Sequence, residues 1–298
     1  MSTDVHQHIW PPAFTELLRT RTTAPYLDGW TLHLHGEPPY RVAPADHDIA
    51  ARTALARTDG LRLALVSLSS PLGIEYLPAD EARPLLTAFH EGALALPAPF
   101  GVWASAHLRT PDPDALTRDL ARGCVGLQLP ATALLDEAGW TRCAPLIDAL
   151  ADTGKPLFVH PGAAPPGAPG APPWWPALVP YVQQLHSAWF AFRAFGRRAH
   201  PTLRVCFAAL AGLAPLHGER LAARGGGRGT VDRDVFYDTS SYGTRAVDAL
   251  VRAVGIDAIV AGSDRPYAPP TTPDLGADAA VHALRTTNPA RLLKGAAL

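Results

Sequence analysis

Short apolar runs alternate with amphipathic stretches along nearly the whole chain. The runs are Thr3–His8, Leu61–Leu68, Phe100–His107, Cys124–Leu129, Pro156–His160, Leu203–Ala209, Val235–Thr239 and Ala258–Ser263. Most are near-continuous Val, Leu, Ala and Phe, the pattern of parallel strands covered on both faces. Between them the apolar positions take a helical period. Helices are predicted over Ala13–Arg21, Asp46–Asp59, Asp80–Leu96, Asp112–Arg122, Trp140–Thr153, Pro215–Arg224, Arg245–Val254, Leu275–Thr287 and Pro289–Leu293. Gly154, Gly225 and Gly255 stand where helices should stop. Asp80 and Glu81 occupy a first turn, where the helix dipole favours negative charge.

Eight strands each followed by helix, with no shift in composition between halves, predict an α/β fold: a single-domain (β/α)8 TIM barrel over residues 1–298. A doubly wound open sheet would want a glycine-rich turn after the first strand. This chain has His6-Gln7-His8 there. Two stretches interrupt the rhythm. Thr31–His35 and Tyr40–Val42, around Gly36-Glu37-Pro38-Pro39, read as a hairpin inserted after strand one. Gly162–Pro180, after strand five, is irregular and rich in proline, with the pair Trp174-Trp175. Long structureless loops are usually functional or disordered, and tryptophans are foreign to a solvated linker. The loop reads as a stiff aromatic wall over the barrel mouth; the competing reading is an oligomer contact, which also enriches Trp. Arg224–Gly229 resembles a phosphate loop in composition only. It follows a helix instead of leading a strand into one, and reads as a connection.

Composition works by exclusion. A net charge of −1 without a basic stripe argues against nucleic acid and against a charged membrane surface. No apolar run approaches the roughly 20 residues that span a bilayer, and no cationic start leads into an apolar segment, so no secretory signal is expected. Cys124, Cys143 and Cys206 lie far apart, which favours a reduced, cytoplasmic setting. A small-molecule substrate is the expected partner, with a homo-oligomer as a further candidate.

In a barrel, chemistry collects at the C-terminal ends of the strands. His6 and His8 alternate with Val5 and Gln7, so an extended strand sends both imidazoles to one face. Alone, such a pair is a weak metal signal, since an N-terminal arm or tag scar gives the same pattern. His160 ends strand five and Asp264 follows strand eight. Strands one and eight are neighbours in a barrel and strand five lies across it, so three imidazoles and one carboxylate can converge on one divalent metal. Gln128 ends strand four and reads as a substrate contact or merely as the strand's last residue. Arg265 can pair a substrate carboxylate bidentately or brace Asp264 or Asp238. His107, His186 and His217 are the remaining imidazoles near strand ends.

Asp4-Val5-His6-Gln7-His8, Leu157-Phe158-Val159-His160-Pro161-Gly162, Ala261-Gly262-Ser263-Asp264-Arg265-Pro266-Tyr267 and Asn288-Pro289-Ala290-Arg291-Leu292-Leu293 together resemble the amidohydrolase superfamily. The likeness is to its amidohydrolase-2 branch, which includes aminocarboxymuconate-semialdehyde and γ-resorcylate decarboxylases and several lactonases. It implies one metal, usually zinc, on His6, His8, His160 and Asp264, with Asp264 doubling as the catalytic proton acceptor. Binuclear members carry a carboxylated lysine at the end of strand four. Here that end is Gly126-Leu127-Gln128-Leu129, and Lys155 and Lys294 lie elsewhere, so a lysine-bridged metal pair is not expected. Ala209 stands where the family usually has a strand-six histidine that helps orient or deprotonate metal-bound water. Loss of such a group typically costs about 10²–10⁴-fold.

The expected activity is metal-dependent hydrolysis of a small cyclic ester or amide. Non-oxidative decarboxylation of an aromatic or unsaturated acid is the alternative, and it suits Ala209 slightly better because carbon must be protonated more than hydroxide generated. A non-catalytic metal- or ligand-binding barrel is the third reading. Gln128, Trp174, Trp175, His186 and Arg265 are the expected substrate contacts.

Overall fold

The computed structural model describes residues 2–167, 170–226 and 231–295. Its strands, in chain order, are β1 (Thr3–Gln7), β2 (Tyr26–Asp28), β3 (Thr31–His33), β4 (Tyr40–Arg41), β5 (Leu63–Val66), β6 (Phe100–Val102), β7 (Leu127–Pro130), β8 (Leu157–His160), β9 (Val205–Phe207), β10 (Val235–Asp238) and β11 (Ile259–Val260). The eight apolar runs supply β1 and β5 to β11. All eight pair in parallel, in two sheets ordered β1-β5-β6 and β7-β8-β9-β10-β11. Two narrow seams join the sheets. At one, Ala104 N–H donates to Gly126 at 2.9 Å and Gln128 N–H to Ala104 at 2.7 Å. At the other, Val5 N–H donates to Ala261 and Asp264 N–H to His6, both at 2.9 Å. The order is that of an eight-stranded α/β barrel.

The sequence places the strand cores correctly but overruns their ends. Inside the barrel, Trp103 stacks on Phe158 at 5.2 Å and donates its indole N–H to Val5 O at 3.0 Å. Gly126 makes room for this: a Cβ there would lie 2.2 Å from Pro156 O and 2.6 Å from the Trp103 ring. Phe158 in turn meets His6 edge-on at 5.0 Å, so an aromatic floor underlies the candidate site.

The insertion after β1 is a three-stranded antiparallel sheet, β2-β3-β4, and not only the expected hairpin. Three residues, Tyr-Leu-Asp, are too few to show a period, so β2 is invisible in the sequence. The loop after β8 closes with short helical turns, Trp175–Leu178, before the longer helix Pro180–Ala191. The predicted helix from Pro215 begins only at Gly218 and runs to Ala223. Before it, Ala209, Leu210, Ala211, Gly212 and Leu213 all take positive φ, between 44° and 63°. Left-handed backbone costs non-glycine residues about 1–2 kcal/mol each, so surrounding packing must hold this turn. The glycine-rich connection falls partly on residues 227–230, and Pro169 on 168–169, outside the described residues. Among the described residues no helix is long and apolar enough to cross a membrane, and Cys124, Cys143 and Cys206 are free and buried.

Candidate metal centre

The end of β1 is held by buried charges. Asp4 accepts the backbone N–H of His6 at 3.1 Å, that of Ser263 at 3.0 Å and the Gln7 side-chain amide at 2.8 Å. Burial pushes its carboxyl above the usual range, with those bonds pulling it back. Arg52, also buried, reaches from the helix Ile49–Thr58 and donates to His8 O at 2.9 Å, Asp46 O at 2.7 Å and Gln7 Oε1 at 2.7 Å. Burial lowers its guanidinium to about 10. Together they fix the direction in which His6 and His8 leave the strand.

Each of three imidazoles is then locked through its Nδ1. His6 Nδ1 lies 2.7 Å from Asp238 Oδ2, His8 Nδ1 3.0 Å from Ser67 O, and His160 Nδ1 2.8 Å from Pro161 O. Carbonyls and an ionised carboxylate only accept, so Nδ1 carries the proton and Nε2 presents a lone pair. The Nε2 atoms of His6 and His8 are 3.1 Å apart. Asp264 Oδ1 is 3.4 Å from the first and 3.2 Å from the second. His160 joins them, and ligand atoms of all four residues lie within 4.8 Å of one another. Four acceptors converging in a buried pocket repel unless a cation sits among them. Donor atoms about 2.0–2.1 Å from a tetrahedral ion stand about 3.3 Å apart, close to the spacings among His6, His8 and Asp264. The donor set fits one divalent metal.

Electrostatics follow the geometry. Burial, then the neighbouring imidazoles, pushes His160 well below the ordinary histidine value. Burial also lowers His8. Burial alone would lower His6 too, but the Asp238 and Asp264 carboxylates overcome it and raise it to about 9. Without a metal, a proton on His6 is the cation that eases the cluster. Asp264 reaches it from a left-handed backbone, φ 57°, with a side chain 23% exposed toward the cavity. Strain of that kind collects at functional sites.

A cavity of about 610 Å³ opens over the cluster. Its walls include Leu32, Leu34, Glu37 and Tyr40 from the insertion, Pro173, Ala177, Leu178, Tyr181 and Leu185 from the segment after β8, and Ser240, Tyr242 and Tyr267. Ala209 also lines it, its backbone N–H donating to Asp238 Oδ1 at 2.8 Å. Asp238 thus serves the His6 ring and the Ala209 turn at once.

Several residues expected at the cavity stand elsewhere. Gln128 is fully buried and spends its amide on Leu68 O (2.8 Å) and Ser70 Oγ (2.9 Å). Trp174 and Trp175 are 56% and 39% exposed, and their proline and aliphatic neighbours face the cavity instead. His186 is half-buried against His217 and Phe190 and is not among the residues lining the cavity. The Arg265 side chain pairs with Asp59 at 2.9 Å, bracing neither Asp264 nor Asp238; its backbone carbonyl accepts from His8. His107 is engaged by Thr110 and by Leu77 O. Sequence reasoning missed Asp238 as partner of His6, Arg52 as the clamp on β1, and Tyr267 as a wall. Only Asp238 carried a signal, as a carboxylate ending an apolar strand.

No protein-family model matches the chain, and no curated protein matches its sequence. Solved structures do match. The apo form of IDCase from Metarhizium anisopliae superposes with a TM-score of 0.77 at 19% identity, over 99% of this chain and 97% of that one. An amidohydrolase II structure gives 0.76 at 16%, over 98% and 99%. A 5-carboxyvanillate decarboxylase from Novosphingobium aromaticivorans, complexed with manganese and 4-hydroxy-3-methoxy-5-nitrobenzoic acid, gives 0.71 at 16%, over 99% and 96%. At these identities the likeness establishes a common fold across essentially the whole chain.

Proposed function

We propose that the chain is a metal-dependent enzyme of the amidohydrolase-2 type that decarboxylates an aromatic or unsaturated acid without net oxidation. The observation that carries this choice is the cavity's imidazole content. Among the described residues lining it, His6, His8 and His160 are the only histidines, and all three aim at the candidate metal position. A water-activating imidazole of the kind expected at Ala209 has no substitute there. Two neighbours in fold, as their names record, act on carboxylated aromatics: the 5-carboxyvanillate and 2,6-dihydroxybenzoate decarboxylases.

In this reading His6, His8, His160 and Asp264 hold one divalent ion. The imidazole-rich set favours zinc, with manganese the competing assignment. When bound, the metal supplies Lewis-acid stabilisation of a substrate carboxylate or acidifies a bound water. Asp264 would hold the proton that carbon takes up as CO2 leaves. The aromatic and aliphatic walls of the cavity exclude water and suit a planar ligand. The three buried thiols fit a reducing, cytoplasmic setting as part of the same proposal.

The test measures bound metal in the wild type, His160→Ala and Asp264→Ala, then follows CO2 release from aromatic acids alongside hydrolysis of lactones and cyclic amides. Near-stoichiometric metal, lost in both variants, with CO2 from at least one acid supports the proposal. Lactone or amide hydrolysis without CO2 replaces it with the hydrolase reading. Retained metal with every compound untouched leaves a non-catalytic barrel.

A further inference from the structure

The cavity's charge is one-sided. Among the described lining residues there is no lysine and no arginine. Apart from the candidate ligands, Glu37 is the one carboxylate that faces it. The nearby cations are spent: Arg52 on β1 and Asp46, and Arg265 on Asp59. Glu37 is also firmly placed. It accepts a hydrogen bond from the Tyr181 hydroxyl. The preceding Gly36 sits so tightly against the loop after β8 that a Cβ there would lie 1.7 Å from Ala164 O. The insertion and that loop are therefore clasped together, with a half-buried carboxylate held at the clasp.

We propose, building on the metal-centre reading, that Glu37 is a specificity-determining residue: the ligand presents one carboxylate to the metal and a cationic or hydrogen-bond-donating group to Glu37, and dicarboxylates are rejected. The reasoning is electrostatic. A second carboxylate would find no cation in the cavity and would approach a like charge, and like-charge contact is an effective way to refuse a partner. An ammonium, amidinium or phenolic hydroxyl would instead offset the cost of keeping Glu37 ionised in a partly desolvated wall. Burial already pushes its carboxyl upward, against the pull of the Tyr181 hydroxyl.

The experiment is calorimetric binding to the metal-loaded protein, independent of turnover, with matched probe pairs: 4-(aminomethyl)benzoate against terephthalate, 6-aminohexanoate against adipate, and 8-aminooctanoate against suberate. The series varies the span between the two poles. The wild type should bind at least one amino acid of a pair about tenfold or more tighter than its dicarboxylate. Glu37→Gln, which keeps an oxygen for Tyr181, should bring that ratio near unity. Tyr181→Phe, which removes that hydrogen bond but keeps the charge, should preserve it. Equal affinities in the wild type, tighter dicarboxylates, or a preference that survives Glu37→Gln would overturn the proposal. A Glu37-dependent preference in a protein that releases no CO2 from any acid would support this inference while removing the decarboxylase reading.

Discussion

Asp238 Oδ2 sits 2.7 Å from His6 Nδ1, and neither side chain meets solvent. The carboxylate holds the ring in the tautomer that points Nε2 at the cluster, raises the basicity of that nitrogen, and uses its other oxygen to pin the Ala209 turn and the Ser240 backbone. Outer partners of this kind are typically worth about 10–100-fold in metal affinity. Asp238→Asn should weaken metal binding by about that factor in a chelator competition titration while the far-ultraviolet circular dichroism stays unchanged. Unaltered affinity would mean that the metal does not use His6.

Arg52 makes three hydrogen bonds, two to acceptors buried with it on His8 and Gln7 and one to the half-buried Asp46 carbonyl. Removing it leaves those acceptors unpaired, at about 1–3 kcal/mol each before relaxation. Arg52→Met should lower stability by at least about 3 kcal/mol in urea denaturation. Arg52→Lys should recover only part of this, because an ammonium cannot reproduce the guanidinium fork.

Gly212 is a sharper test of the left-handed turn. A Cβ there would meet Val182 O at 2.5 Å, on backbone already at φ 58°. Strain and overpacking together should make Gly212→Ala cost more than about 2 kcal/mol, measured as a fall in thermal midpoint. Ala211→Gly, at φ 54°, relieves one strained residue and should be near neutral or stabilising by comparison.

Glu75 gives the fold a pH dependence away from the candidate metal centre. It is buried, bonded to Ser70 through one oxygen, with no partner on the other. Burial raises its carboxyl from 4.5 to about 7. The native state therefore holds a proton that the unfolded chain has already released between these values. Stability from this group is full below about 4.5 and falls as pH rises through 7. Glu75→Gln mimics the protonated form, so its stability advantage over wild type should grow by up to about 3 kcal/mol from pH 4.5 to 8. A difference that stays constant over that range would show that Glu75 is not protonated in the native protein.

What the sequence revealed and concealed follows from locality. Strand phase was legible because β7 to β11 are buried at every position, so a largely apolar run marks them, whereas β1, Thr-Asp-Val-His-Gln, is buried throughout but mostly polar. His6 and His8 were legible as a pair, and His160 and Asp264 through their places at strand ends. The Asp238–His6 contact spans 232 positions and leaves no local trace. The left-handed turn was hidden because alanine and leucine carry no preference for that conformation, as glycine would. Trp174 and Trp175 misled because large apolar side chains normally point inward; here the backbone turns Pro173, Ala177 and Leu178 to the cavity instead. Gln128 was ambiguous from the start; its amide N–H groups are taken by Leu68 O and Ser70 Oγ, while its Oε1 is buried without a partner.

The bond from Ser263 N–H to Asp4 Oδ1 joins positions 259 residues apart, beside the cluster itself. Contacts of such long sequence separation pay their loop-closure entropy late and slow folding. A chain that has not yet docked β11 beside β1 has two imidazoles on a loose edge strand and no carboxylate opposite them. High-affinity metal capture is then a property of the finished barrel, not of any fragment. Its appearance in a refolding experiment would time the last step of assembly, and each tenfold excess of metal over its Kd would hold the completed state by about 1.4 kcal/mol more.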